Sequence, residues 1–179
     1  QGTISTTGSA LDLAIDGAGF FQVQLPDGRT GYTRAGNFSR SADGTMVTGD
    51  GKPLEPAIQI PDDATNVSIA ADGTVSVSIA GQAQATEAGR IELARFTNPA
   101  GLLAVGDNML VETAASGAPQ VGPAGQEGRG VLRAGMLEGS NVNVVEELVD
   151  MIETQRAYEV NSKMIKAADE MMTNATQTL

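Results

Sequence analysis

The carboxyl-terminal segment decides the architecture of this chain. Residues 144–179 read VVEELVDMIETQRAYEVNSKMIKAADEMMTNATQTL and contain neither Gly nor Pro. Asn143 can cap the start of a helix, and Glu146 lies three residues further on, as in a capping box. Acidic residues crowd the first turns and lysines follow, which matches the helix dipole, and Glu159 and Lys163 form an i,i+4 pair. We therefore predict one helix about 54 Å long, at ~1.5 Å per residue.

Large side chains recur along this predicted helix at an interval of seven residues. They are Met151, Tyr158, Ile165, Met172 and Leu179. The intervening heptad positions are mostly small or polar, namely Leu148, Gln155, Ser162, Asp169 and Thr176. A sustained repeat of seven is typical of a helix that packs along another helix. No second long helical segment is present in the sequence, so we predict a coiled coil with an N-terminal helix from outside residues 1–179 or with neighbouring subunits.

A second interpretation is that the helix lies across a β domain as an ordinary core helix. Strands of five or six residues are only ~17–20 Å long, so a 54 Å helix would overhang the sheet that they form. An isolated helix of this kind is marginal in water, because helices in proteins are stabilised mainly by tertiary packing. The helix is therefore predicted to need a partner.

Residues 1–112 have the pattern of short antiparallel strands. Apolar residues alternate with polar ones, for example Leu11, Leu13 and Ile15, in runs of strand length. Asp-Gly pairs, which suit tight turns, punctuate the runs at 16–17, 27–28, 43–44, 50–51 and 72–73. The segment LPDGRT at 25–30 is the best single hairpin candidate. We predict a β-rich outer domain over residues 1–112.

The remaining divisions follow from composition. Ala, Gly, Pro and Ser dominate residues 113–139, and we predict an extended linker there. Residues 140–179 form the helical part. The predicted fold class is therefore α+β: an antiparallel β-rich domain, an extended linker and one long C-terminal helix.

Composition excludes several classes of function. The chain has 22 acidic and 11 basic residues and a net charge of −11, which argues against nucleic acid as a partner, since phosphate binding needs clustered Lys and Arg. With no His and no Cys, it lacks an imidazole base, a thiol nucleophile and the usual zinc ligands. No apolar run approaches the length of a membrane span. We predict no enzyme activity, no catalytic residue, no metal, no cofactor and no membrane insertion.

Two local patterns could still suggest chemistry. Ser162 and Lys163 could form a nucleophile pair, but adjacent helical residues point in different directions. Asp62 and Asp63 could bind Ca²⁺, but no complete calcium-loop pattern is present. We interpret the first pair as solvated helix surface and the second as turn chemistry.

Two separated motifs resemble the flagellar rod and hook proteins. Residues 11–21 read LDLAIDGAGFF and 32–38 read YTRAGNF; near the other end, 140–148 read SNVNVVEEL and 155–159 read QRAYE. A central SGAP at 116–119 extends the resemblance over essentially the whole chain. Hook subunits have a much longer segment between the two motifs. The chain therefore resembles a rod subunit, in particular one of the distal rod. The N-terminal helix of that family is missing from residues 1–179.

This resemblance implies a structural subunit of the basal body that polymerises helically into a hollow drive shaft across the periplasm. It implies export by the flagellar type III apparatus without a cleaved signal peptide. The implied partners are copies of itself, proximal rod and hook proteins at the two ends, and surrounding ring proteins. The residues expected at the subunit interface are Val144, Leu148, Met151, Gln155, Arg156, Tyr158, Ile165, Met172 and Leu179.

Two other functions stay open at this point. One is a β-rich binding or adhesive fibre module in which the helix is a trimerising stalk. The other is a hydrolase that uses a carboxylate pair, which requires two acidic side chains to converge in a pocket.

Overall fold

The chain divides into two compact units, Gln1–Gly139 and Ser140–Leu179. The computed structural model describes residues 2–81 and 84–177; side chains are described for these residues up to Ala168 and for Met171 and Met172. We call the first unit the β unit. Its described strands are β1 (Ile4–Thr6), β2 (Leu13–Asp16), β3 (Phe20–Gln24), β4 (Thr30–Thr33), β5 (Phe38–Arg40), β6 (Met46–Thr48), β7 (Leu54–Glu55), β8 (Ala64–Ile69), β9 (Thr74–Ile79), β10 (Thr86–Arg90), β11 (Glu92–Arg95), β12 (Leu103–Gly106), β13 (Met109–Val111), β14 (Gln120–Pro123), β15 (Val131–Ala134) and β16 (Met136–Glu138).

The strands form five antiparallel groups. The largest is a seven-stranded sheet in the order β12-β13-β4-β3-β11-β14, with β7 paired to β3 beside it. A three-stranded sheet has the order β10-β9-β8, and the pairs β1-β16, β2-β15 and β5-β6 complete the unit. The predicted antiparallel β architecture is confirmed.

Strand β3 lies at the centre of this arrangement because its sequence supplies apolar residues to both faces of the sheet. Phe21 and Val23 are fully buried in the main core, where the Phe21 ring meets that of Phe38 edge-on at 5.0 Å. Phe20 points to the opposite face, since successive strand residues alternate, and it packs against a smaller cluster that contains Tyr32 and Phe96.

Four of the five Asp-Gly pairs form tight turns, as their sequence predicts, whereas Asp16 ends β2 and Gly17 lies in a bend. All five glycines have positive φ, between 77° at Gly44 and 121° at Gly17. Four of the pairs join neighbouring antiparallel segments. In the predicted hairpin, Leu25 N donates to Arg29 O at 2.9 Å and Gly28 N donates to Leu25 O at 2.9 Å. The exception is Gly17, which lies between β2 and β3, two strands that belong to different sheets.

The predicted extended linker over 113–139 is wrong. Strand β14 adds to the edge of the main sheet beside β11, β15 pairs with β2, and β16 pairs with β1. The apolar breaks in this segment are used as core, since Leu132 and Ala124 are buried. Small residues allow close packing here: a Cβ on Gly130 would meet Asp16 O at 2.7 Å. A composition rich in Gly and Ala therefore marks tight strand packing rather than a linker.

The second unit contains one helix, α1 (Val144–Gln177), of 34 residues. Its start matches the predicted cap, because Val145 N donates to Asn143 Oδ1 at 3.1 Å. The predicted i,i+4 pair is also present, with Lys163 Nζ at 2.7 Å from a Glu159 carboxylate oxygen. The long C-terminal helix is confirmed.

Gly36 gives a first test of this packing. Its backbone passes so close to Leu13 that a Cβ would overlap the Leu13 carbonyl oxygen. We expect Gly36→Ala to lower the free energy of unfolding by about 3 kcal/mol, because the overlap can be relieved only by moving backbone. Gly31→Ala is the control, since the atoms nearest to its Cβ would belong to the Leu25 side chain, at 3.0–3.3 Å, rather than to backbone, and it should cost about 1 kcal/mol. Equal losses in urea denaturation would contradict this account.

Tyr32 gives a second test, through its titration. Burial of the phenol, followed by the charges of Glu112 and Glu55, raises the pKa of Tyr32 above its ordinary value of 10.0. Because the folded-state pKa is raised, the buried neutral phenol contributes stability to the fold. This contribution is complete below pH 10 and is lost as pH rises through the folded-state pKa. In a Tyr158→Phe variant Tyr32 is the only tyrosine. Its tyrosinate absorbance should then reach its midpoint above pH 10 while circular dichroism still shows folded protein; a midpoint at 10 in folded protein would refute the shift.

Candidate assembly surface

The structure places the predicted interface residues on the surface of α1. All eight that are described are exposed, and the exposed fraction of the six apolar ones runs from 51% at Leu148 to 78% at Tyr158. The residues so placed are Val144, Leu148, Met151, Gln155, Arg156, Tyr158, Ile165 and Met172. Leu179 lies outside the described residues. Large apolar side chains are thus displayed along much of the helix.

Seven of these residues share one face. At about 100° per residue, Met151, Tyr158 and Ile165 fall within about 40° of one another around the helix axis. We call this face the first stripe; its members are Val144, Leu148, Met151, Gln155, Tyr158, Ile165 and Met172. Arg156 lies about 140° away from Met151, so the helix does not bring it together with the others.

A second apolar stripe was missed by the heptad analysis. It is centred about 160° from Met151, nearly opposite the first stripe, and its members are Val145, Val149, Ile152, Val160, Met164 and Met171, all exposed. Arg156 lies within this face. Val149, Val160 and Met171 recur every eleven residues, and this spacing could have predicted the second stripe from the sequence. Eleven residues is a helical period that a search for seven-residue repeats does not detect.

The two apolar faces of α1 bear on how the helix is packed. An amphipathic helix on a globular surface has one apolar face and one polar face. In α1, Asp150 and Glu159 fall in the gaps between the two apolar stripes, whereas charged residues such as Glu147 and Glu153 interrupt the stripes themselves. A helix that is apolar on two opposite sides is expected to be buried between partners rather than to lie on one.

A second feature lies in the β unit, where the two ends of its chain meet. We call β1, β16 and the flanking Gly2 and Gly139 the ribbon. Because β1 and β16 are antiparallel, the start of β1 lies beside the end of β16, from which the chain continues towards α1. Gly2 N donates to Glu138 Oε1 at 2.8 Å, and Gly139 N donates to Thr3 O at 2.8 Å. A Cβ on Gly2 would overlap the Gly139 carbonyl oxygen, so the two backbones are in direct contact.

Arg34 joins this ribbon to the rest of the β unit. Its Nε donates to Glu138 Oε2 at 2.8 Å, and its Nη2 lies 2.8 Å from the same oxygen. The same guanidinium donates to three backbone carbonyls, those of Ile15 at 3.0 Å, Gly17 at 3.1 Å and Gly19 at 2.9 Å. These carbonyls lie at the crossing from β2 to β3. The Arg34 and Glu138 side chains are 25% and 10% exposed, so the pair is partly shielded from water.

The residue pairs considered as a possible nucleophile site and a possible calcium site lie on the surface. Lys163 pairs with Glu159 on the exposed side of α1, and Asp62 pairs with Arg40 at 3.4 Å. A shallow groove beside the 25–28 and 50–53 turns holds Lys52 between Asp50 and Asp107, at 3.5 and 3.6 Å. Within residues 2–81 and 84–177, no helix is both long enough and apolar enough to cross a bilayer.

Comparison with known proteins gives matches at both ends of the chain. The flagellar hook protein FlgE/F/G D1 domain family matches residues 14–77. The flagellar basal-body rod FlgEFG protein C-terminal family matches residues 133–178, which include β16 and α1. The first matched segment contains residues 14–21 and 32–38 of the first motif, and the second contains 140–148 and 155–159 of the other.

Relatives at high identity cover nearly the whole chain. The flagellar basal-body rod protein FlgG of Buchnera aphidicola subsp. Acyrthosiphon pisum is 50% identical over 177 residues, which are 99% of this chain and 68% of that protein. FlgG of Caulobacter vibrioides is 48% identical over 177 residues, with the same coverage. FlgF of Caulobacter vibrioides is 37% identical over 183 residues, or 69% of that protein. The chain therefore belongs to the FlgE/F/G family of flagellar hook and basal-body rod proteins, and its resemblance to FlgG is confirmed.

Proposed function

We propose that the protein is a subunit of the distal rod that polymerises helically, through α1, into a hollow drive shaft. Its relatives make it a structural protein of the flagellar basal body and not an enzyme. The observation that carries the proposed mode of assembly is the display of large apolar side chains on two faces of α1. The family also favours this function over an adhesive fibre module or a carboxylate hydrolase.

The energetics of α1 support burial on assembly. Fully burying one large apolar side chain contributes about 1.5–3 kcal/mol, and each stripe carries at least five such side chains. An isolated helix has little stability of its own in water. The first stripe has the heptad spacing of a coiled-coil seam, and we assign it to an N-terminal helix or a neighbouring copy. The second stripe then requires a further copy.

The ribbon supports the pairing of α1 with an N-terminal segment of the full-length protein. It holds the start of β1 beside the end of β16, so a segment preceding β1 would leave the β unit at the place where the chain continues to α1. Contact between the two segments then costs little loop-closure entropy, since their bases are already together.

The remaining parts of the proposal follow from the family. The helices form the inner tube through which flagellar proteins are exported, and the β unit faces outward. The shaft crosses the periplasm and transmits torque, with proximal rod and hook proteins at its ends and ring proteins around it. The subunit itself is exported by the type III route without a cleaved signal peptide. Repeated head-to-tail contacts that do not close into a ring build such an open filament.

Ile165→Asp tests the first stripe. A charge in a buried apolar seam is costly, so in the full-length protein we expect the concentration needed for polymerisation to rise about 100-fold or more, at ~1.4 kcal/mol per tenfold. Circular dichroism of the β unit should not change. Ala168→Asp is the control: it adds the same charge at an exposed position between the stripes and should polymerise almost as the parent does. Rods of normal length from Ile165→Asp, seen by electron microscopy, would refute the assignment.

Val160→Asp tests the second stripe by the same assay. If α1 is buried on two faces, this variant should also lose polymerisation, although Val160 lies about 180° from Met151 around the helix. It should still pair with an N-terminal helix, which cross-linking at first-stripe positions can detect. Normal polymerisation of Val160→Asp would show that only one face of α1 is buried.

A further inference from the structure

The ribbon is short, yet it carries the segment that leads into α1. Its two strands have three residues each, β1 is mostly exposed, and β1 and β16 pair only with each other among the described strands. A two-stranded ribbon of this length is not stable alone in water. Something in the β unit has to hold it.

One ion pair holds the end of the ribbon that contains Gly2 and Gly139, while at the other end Met136 N donates to Asp12 O at 3.4 Å and Thr7 Oγ1 donates to Asp12 Oδ2 at 2.6 Å. Glu138 contacts Arg34 through one carboxylate oxygen and accepts from Gly2 N through the other. Arg34 contacts three carbonyls at the crossing between β2 and β3. The ion pair therefore connects both strands of the ribbon to the β unit through side chains that are largely removed from water. Charge-assisted hydrogen bonds of this kind are stronger than neutral ones.

We propose that Arg34 and Glu138 form a clamp that fixes the ribbon, and with it the base of the segment leading into α1, to the β unit. Arg34 acts as a positioning residue through Glu138. In the proposed rod, this clamp carries load between the helical segments and the β unit, a consequence that rests on the proposed function. The clamp itself can be tested on the 179-residue chain without assembly, so the two proposals can fail separately.

Hydrogen exchange followed by mass spectrometry provides the test. In Glu138→Ala we expect amides of β1 and β16 to exchange about tenfold faster or more, because local opening of the ribbon no longer breaks a charged contact. Amides of β3 and β11 should keep their protection. Asp16→Ala is the matched control, since it removes the carboxylate of another Arg–carboxylate pair, Arg133–Asp16 at 2.6 Å, which joins β2 to β15 and not the ribbon. Ribbon exchange should not change in this control.

Two further variants separate the clamp from the Gly2 contact. Glu138→Gln keeps an acceptor for Gly2 N and should still speed ribbon exchange severalfold at an unchanged unfolding temperature. Arg34→Met should loosen the ribbon at least as much as Glu138→Gln does, and the double variant Arg34→Met/Glu138→Gln should add nothing to Arg34→Met, since both substitutions remove the same ion pair and keep the acceptor for Gly2 N. The proposal is overturned if the ribbon keeps its protection in Glu138→Ala, if only loss of the Gly2 contact loosens it, or if Asp16→Ala has the same effect.

Discussion

The structure depends on one constraint, which is that the apolar surface of α1 cannot remain in water. Val149, Met151 and Ile165 are each about half exposed or more, on a helix of 34 residues. Propensity and capping can start such a helix, but tertiary packing has to stabilise it. In the proposed rod, neighbouring subunits would supply that packing.

The β unit has the opposite character. Its core is closed, with Leu13, Phe21 and Leu93 fully buried, and no buried side-chain polar atom in the described part of the chain lacks a hydrogen-bond partner. Its buried residues are thus packed against one another within the unit. The ribbon is where these two kinds of structure meet in sequence, and a charged, partly buried ion pair is among the contacts that hold it.

Local periodicity predicted what depends on local signals. The Asn143 cap of α1, the helix over 144–177, the β3–β4 hairpin and four of the five Asp-Gly turns are confirmed, because each is determined by neighbouring residues. Long-range pairing was not predictable in the same way. Strands β14, β15 and β16 were assigned to a linker because their Gly and Ala residues, placed there for close backbone packing, resemble linker composition. The Arg34–Glu138 pair spans 104 residues, and no local pattern indicates it. The second stripe of α1 could be predicted from the sequence, but only from an eleven-residue repeat of apolar residues.

The difference between α1 and the β unit affects how the stability of each depends on subunit concentration. For a subunit whose helix is ordered by neighbours, folding of α1 and assembly are linked by mass action, so the helix becomes more stable as subunit concentration rises. The β unit has no such dependence. A helix stabilised on only one face would favour a closed pair, whereas one stabilised on two opposite faces gives each added copy a surface for the next. In the proposed rod, two stripes on one helix would therefore provide both the requirement for a partner and the means to continue an open filament.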